Sequence, residues 1–236
     1  MRPDQIEGDV VALDRDDALH LDRVLRAKIG DEIGVLDGTG ALAIARITEL
    51  SKARALATIV STEHPRTEPR VRVTIAQALP KTAEKLEWVL QHGVEAGATG
   101  FVVFRSARSE AGRLAQKPVR WERIVKTAAE QSARTRVPDV EFARDFEHAV
   151  EIGSHSALSL FCDEAERERS LRSAIENQTP SSVFVLVGPE GGWSDAERIA
   201  AVSAGALPIT LGGRTLRTET SALVALSQIL YALDAG

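Results

Sequence analysis

The hydrophobic pattern of the chain changes character near residue 70. Before that point, short apolar runs at 10–13, 33–36, 41–47 and 55–60 are separated by polar and glycine positions. Asp37-Gly-Thr-Gly40 divides two of these runs and predicts a β-hairpin. Between the first two runs, 16–27 has helical spacing, with Leu19, Val24 and Leu25 as candidate core positions. Residues 1–62 therefore predict a small β-rich module. The stretch 63–70 is polar, is interrupted by Pro65 and Pro69, and has no period, as expected of a linker. From Val71 onward strands and helices alternate. Strands are predicted at 71–78, 101–104, 157–161, 183–187 and 209–211. Helices are predicted at 82–96, with Leu86, Val89, Leu90 and Val94 inward, and from Pro118 to about Arg134. Such alternation over 71–236 predicts an α/β domain with a parallel sheet covered on both faces.

One junction in this domain stands out. The unbroken apolar strand 183–187 runs into Gly188-Pro-Glu-Gly-Gly-Trp193, and Ser194 and Glu197 then have the spacing of a helix capping box. Glycines there allow a tight turn and close approach to a ligand at the carboxyl end of a strand. A plain strand-to-helix turn with capping glycines explains the same residues equally well. The design repeats at Pro208-Ile-Thr-Leu-Gly-Gly-Arg-Thr-Leu-Arg-Thr-Glu-Thr-Ser221, with a helix expected from about Thr218. Arg214, Arg217 and Glu219 crowd this second loop, where unpaired buried charge is costly.

Composition narrows the class. The 236 residues are 44% hydrophobic and 27% charged, as in ordinary globular proteins. No apolar run approaches the roughly 18 residues of a membrane span, and the start Met-Arg-Pro-Asp lacks a signal-peptide core. The expectation is a cytoplasmic protein without a membrane partner. A single cysteine, Cys162, and scattered histidines give no metal-ligand spacing, so no metal is expected. The net charge of −5 hides an uneven distribution. Residues 71–140 hold 12 basic and 7 acidic side chains, whereas both flanks are acidic. A local basic field attracts a polyanion whatever the total. His20, Arg23 and Arg26 near one helix face, and Arg105, Arg108 and Arg113 around a polar loop, are candidate RNA contacts; solvated surface charge is the alternative.

The two glycine motifs, Gly188-Pro-Glu-Gly-Gly192 and Leu211-Gly-Gly-Arg-Thr-Leu-Arg-Thr-Glu-Thr220, together resemble the bacterial ribosomal RNA small subunit methyltransferase E family, one of the knotted SPOUT RNA methyltransferases. The resemblance takes in His20-Leu-Asp-Arg-Val-Leu-Arg26, Glu87-Trp88, Arg105-Ser106 and Glu130-Gln-Ser-Ala-Arg134 before Val137-Pro138. It implies a PUA-like RNA-binding β-barrel over 1–62 and a trefoil-knotted, parallel-sheet methyltransferase domain over 71–236. It also implies a homodimer that transfers a methyl group from S-adenosylmethionine to N3 of a uridine in 16S rRNA of the small ribosomal subunit. Cofactor contacts would come from Phe161, Cys162, Val187, Gly188, Pro189, Glu190, Gly191, Leu211, Gly212, Gly213, Leu216 and Thr218.

A uracil N3 must lose its proton before it attacks. Glu219 is the candidate base, with Arg217 or Arg134 stabilising the developing anion, and Arg134 matching a family motif. For Glu219, a first-turn carboxylate favoured by the helix dipole is the competing role. Two other functions fit the sequence less closely: a non-catalytic RNA-binding assembly factor, and a ribose 2′-O-methyltransferase of the same fold.

Overall fold

The computed structural model describes residues 5–36, 38, 40–109 and 118–233, which fall into two compact units. The first comprises residues up to Glu68 together with Ala133–Val137. Its strands are β1 (Ile6–Glu7), β2 (Val10–Leu13), β3 (Glu32–Leu36), β4 (Leu42–Leu50) and β5 (Ala55–Glu63). They pair antiparallel in the order β1-β2-β5-β4-β3. Alternation puts Ala43, Ala45 and Ile47 of β4 inward with Ala55 and Ala57 of β5.

Helix α1 (Arg15–His20) starts at Asp14, whose carboxylate accepts from the backbone N–H of Asp16 and Asp17. A π-helical turn over Leu21–Leu25 follows and stops at Arg26, whose φ of 52° is left-handed. The wider turn rotates the apolar face away from the 3.6-residue register. Ala18 and Leu21 are buried, while Val24 and Leu25, expected in the core, are 66% and 58% exposed.

The division between units falls after Glu68, and the chain returns to the first unit for residues 133–137. It therefore passes between the units three times rather than once. The short return is held by Glu68, whose carboxylate accepts from Arg134 Nε at 3.2 Å, from Arg134 Nη2, and from the backbone N–H of Arg136 at 3.0 Å. Gly40, at the β3–β4 turn, donates its N–H to Thr135 O at 3.1 Å.

The second unit carries a wholly parallel sheet of β6 (Arg72–Ala78), β7 (Gly100–Phe104), β8 (Asp139–Phe142), β9 (Leu158–Cys162), β10 (Ser182–Val187) and β11 (Leu207–Ile209). Its order is β11-β9-β10-β6-β7-β8. The apolar run of β10 divides between two cores. Val183, Val185 and Val187 face one, and Phe184 and Leu186 face the other.

The first core is closed by α2 (Ala83–Glu95), α3 (Pro118–Gln131), α5 (Leu171–Ile175) and α7 (Thr218–Leu233), through residues such as Leu86, Trp121, Leu171 and Leu226. The second is closed by α4 (Phe146–Ser154) and α6 (Asp195–Ser203), through Phe146, Ala149 and Ala201. Strand order reverses between β6 and β10, neighbours that are far apart in sequence. A crevice opens beyond their carboxyl ends, where open α/β sheets bind ligands.

Candidate active site

The crevice is a cleft of about 850 Å³. Three loops line it: Cys162 to Glu164 after β9, Val187 to Trp193 after β10, and Thr210 to Arg217 after β11. Lys85 of α2 and the start of α7 complete it.

Each loop is fixed by a specific contact. Trp193 is fully buried; its indole N–H donates to Cys162 O at 2.8 Å, and its ring stacks on Phe161 at 4.7 Å. That contact ties the β10 loop to the β9 loop. Gly188 lies against the same ring: a Cβ there would sit 2.9 Å from Trp193, so a side chain is excluded. Ser194 and Glu197 form the anticipated capping box of α6. Glu197 also accepts from the backbone N–H of Ala107 at 2.9 Å, and Arg108 donates to Gly191 O at 3.3 Å, which lays the basic loop after β7 on the glycine loop. Burial alone would raise the Glu197 carboxyl, but hydrogen bonds from Ser194 and Ala107 outweigh it and its pKa is lowered.

The third loop is joined to the others through a buried chain of hydrogen bonds. Gln77, at 1% exposure on β6, donates to Thr218 Oγ1 at 2.8 Å, and Thr218 donates to Gly188 O. A glutamine buried near the carboxyl end of β6 is a sequence signal that pattern reading alone passes over. Arg198 secures the rim by donating to Asp163 at 3.1 Å and to Glu164 at 2.7 Å. Cys162 packs on the core, and burial pushes its thiol up to about 12, so it has no thiolate chemistry at neutral pH.

The sequence-predicted residues divide clearly. Cys162, Val187 to Gly191, Leu211 to Gly213, Leu216, Arg217 and Thr218 all line the cleft. Phe161 does not; it is fully buried beneath Trp193. Glu219 stands just behind the lining, its side chain 13% exposed and its Oε2 3.7 Å from Lys85 Nζ. Arg134 is a correction. It belongs to the first unit, is 4% exposed, and its guanidinium is committed to Glu68 rather than to the cleft.

His20, Arg23, Arg26, Arg105 and Arg108 are exposed, and Arg113 lies outside the described residues. Lys85, Glu164 and Arg167 line the cleft without having been anticipated. Among the described residues no group of three or more His, Cys, Asp or Glu side chains is gathered for a metal, and no helix is long and apolar enough to cross a membrane.

Glu68 provides a pH test of the return segment. Burial raises its carboxyl, but hydrogen bonding and the charge of Arg134 prevail, so its pKa is held below the usual 4.5. A lowered carboxylate pKa adds stability that is present above the unfolded value and is lost as pH falls through the folded one. Glu68→Gln removes the charge that Arg134 donates to and is expected to cost roughly 2 kcal/mol at neutral pH, below the usual range for a fully buried pair because water reaches Glu68. Thermal melts of both proteins should converge as pH drops below 4.5. A gap independent of pH would rule out the ion pair as its source.

Comparison with known proteins agrees with this geometry. Residues 67–230 match the family described as RNA methyltransferase domain, and residues 13–60 match RNA methyltransferase PUA domain. Ribosomal RNA small subunit methyltransferase E of Synechocystis sp. is 35% identical, covering 98% of this chain and 76% of its own length. That of Bacillus subtilis is 33% identical over 95% and 91%. The Neisseria gonorrhoeae enzyme of the same name, solved bound to S-adenosyl methionine, superposes with a TM-score of 0.86 at 31% identity, covering 95% of this chain and 92% of that one. With both units matched, and with relatives above 30% identity along nearly the whole chain, the protein belongs to the ribosomal RNA small subunit methyltransferase E family.

Proposed function

We propose that this chain transfers a methyl group from S-adenosylmethionine to N3 of a uridine in 16S rRNA of the small ribosomal subunit. The observation that carries the reading is the convergence of Cys162, the Gly188 loop and the Leu211 to Leu216 loop on one cleft in a chain of this family. The cleft suits the cofactor. Gly188 admits no side chain, and a Cβ on Gly212 or Gly213 would meet no protein atom within 4 Å, so the backbone of these loops is open to a ligand. When bound there, S-adenosylmethionine supplies a methyl group already activated on a sulfonium.

The remaining work falls to the protein. The three loops, pinned through Trp193, Thr218 and Arg198, hold the reactants in line. Glu219 accepts the N3 proton, and Arg217 meets negative charge on the uracil oxygens. Once Glu219 has taken the proton, the electron pair of the N3–H bond is left on N3, ready for the methyl group that bound S-adenosylmethionine would supply. His20, Arg23, Arg26, Arg105 and Arg108 contact RNA phosphate. The first unit is read as a PUA-like barrel and the second, from its family, as a trefoil knot. A homodimer is read from α2 and α7, which leave Trp88 and Tyr231 40% and 83% exposed. The protein is taken to work in the cytoplasm, where ribosomal subunits are.

Labelled S-adenosylmethionine, incubated with this protein and 30S subunits that lack the modification, is expected to give labelled 3-methyluridine on nucleoside analysis. Label in a 2′-O-methyl nucleoside would overturn the base-methylation reading, and no label would overturn catalysis on this substrate.

A further inference from the structure

Lys85 lines the cleft from α2, outside the three loops. Its Nζ donates to Glu190 Oε1 at 2.7 Å and lies 3.7 Å from Glu219 Oε2, a buried oxygen with no hydrogen-bond partner. An ammonium carries three donors. Among the described residues Glu190 is the only acceptor within hydrogen-bond distance of it, so donor capacity remains toward the cleft.

Pinning Glu190 does not require this lysine. Both carboxylate oxygens of Glu190 already accept from the backbone N–H of Lys81, at 3.2 and 3.1 Å. A half-buried cation set between two carboxylates, and not needed to hold Glu190 in the fold, is a feature of a working site.

We propose that Lys85 is a catalytic residue whose ammonium hydrogen-bonds a carbonyl oxygen beside N3 of the target uracil and stabilises the charge left as the proton departs. This deepens the reading of uridine-N3 methylation and rests on it. Loss of the N3 proton spreads negative charge onto the flanking oxygens, and a donor fixed beforehand stabilises that charge without reorganising. Two acidic groups, Glu190 on the β10 loop and Glu219 on α7, hold Lys85 in place, while Arg217 is the opposing cation. The hydrogen bond to Glu190 raises the lysine pKa, which keeps it a donor rather than a base. The proton goes to Glu219, the neighbour with a free acceptor oxygen.

The test compares the full-length wild type with Lys85→Met and Lys85→Arg. Single-turnover methyl transfer to unmodified 30S subunits is followed from neutral to alkaline pH, and S-adenosylmethionine affinity is measured by calorimetry. Lys85→Met is expected to transfer about 10²- to 10³-fold more slowly with affinity unchanged. Its rate should keep climbing with pH where the wild type has levelled, because the uracil anion must then form unaided. Lys85→Arg should recover much of the rate.

Loss of rate in proportion to lost affinity, with an unmoved pH profile, would overturn the proposal and make Lys85 a loop anchor. A Lys85→Met protein as fast as the wild type would overturn it too. A wild type that places no label on N3 would instead overturn the underlying reading.

Discussion

Glu219→Gln is expected to slow methyl transfer by about 10²- to 10⁴-fold while S-adenosylmethionine binds as before. Glutamine keeps the shape of the side chain but cannot take a proton. Glu219 is not among the residues that line the cofactor cleft, so its loss should spare cofactor affinity. Its Oε2 is buried without a hydrogen-bond partner, an arrangement that is costly in a resting protein and useful for an atom that must accept a proton. Single-turnover rates and calorimetry on the same preparation decide the matter. Parallel loss of rate and affinity would remove the proton-acceptor role and leave Glu219 as part of the fold at the start of α7.

Trp193→Ala is expected to cost about 3–5 kcal/mol of stability and to abolish measurable cofactor binding. The ring fills the core between Phe161, Phe146 and Phe104, and its N–H satisfies Cys162 O. Removing it opens a cavity and orphans a carbonyl at the cleft wall, and the glycine loop loses the surface against which Gly188 is pressed. Chemical denaturation would measure the first effect and calorimetry the second. Trp193→Phe keeps the packing without the N–H donor and should restore most of the stability but less of the affinity. Full affinity in Trp193→Ala would show that the loop holds its shape unaided.

How much of this could be read from the sequence depends on the range of the interaction. The strand at 183–187, the glycine turn and the capping box are local, and each was expressed as a short pattern with one physical solution. The second loop and the start of α7 followed by the same reasoning. Helix α1 misled because a π-helical turn breaks the period on which the core assignment of Val24 and Leu25 rested. The strand β8 and helix α4, short and mixed in polarity, gave no clear period.

Lys85 meets Glu190 across 105 residues of chain, and Glu68 meets Arg134 across 66. Pairings at that distance leave no local pattern. The second of them turned a candidate substrate contact, Arg134, into a buried tie.

The return of residues 133–137 to the first unit bears on how this protein could be rearranged. A module joined by one linker can be cut, swapped or inherited as a contiguous cassette. Here a fragment ending at Glu68 would leave behind Arg134 and Thr135, both buried against that unit. The remainder would keep Arg134 without Glu68. Recombination at the obvious polar boundary should therefore yield two damaged pieces, and a chimera should fold only when the five-residue return travels with the amino-terminal half.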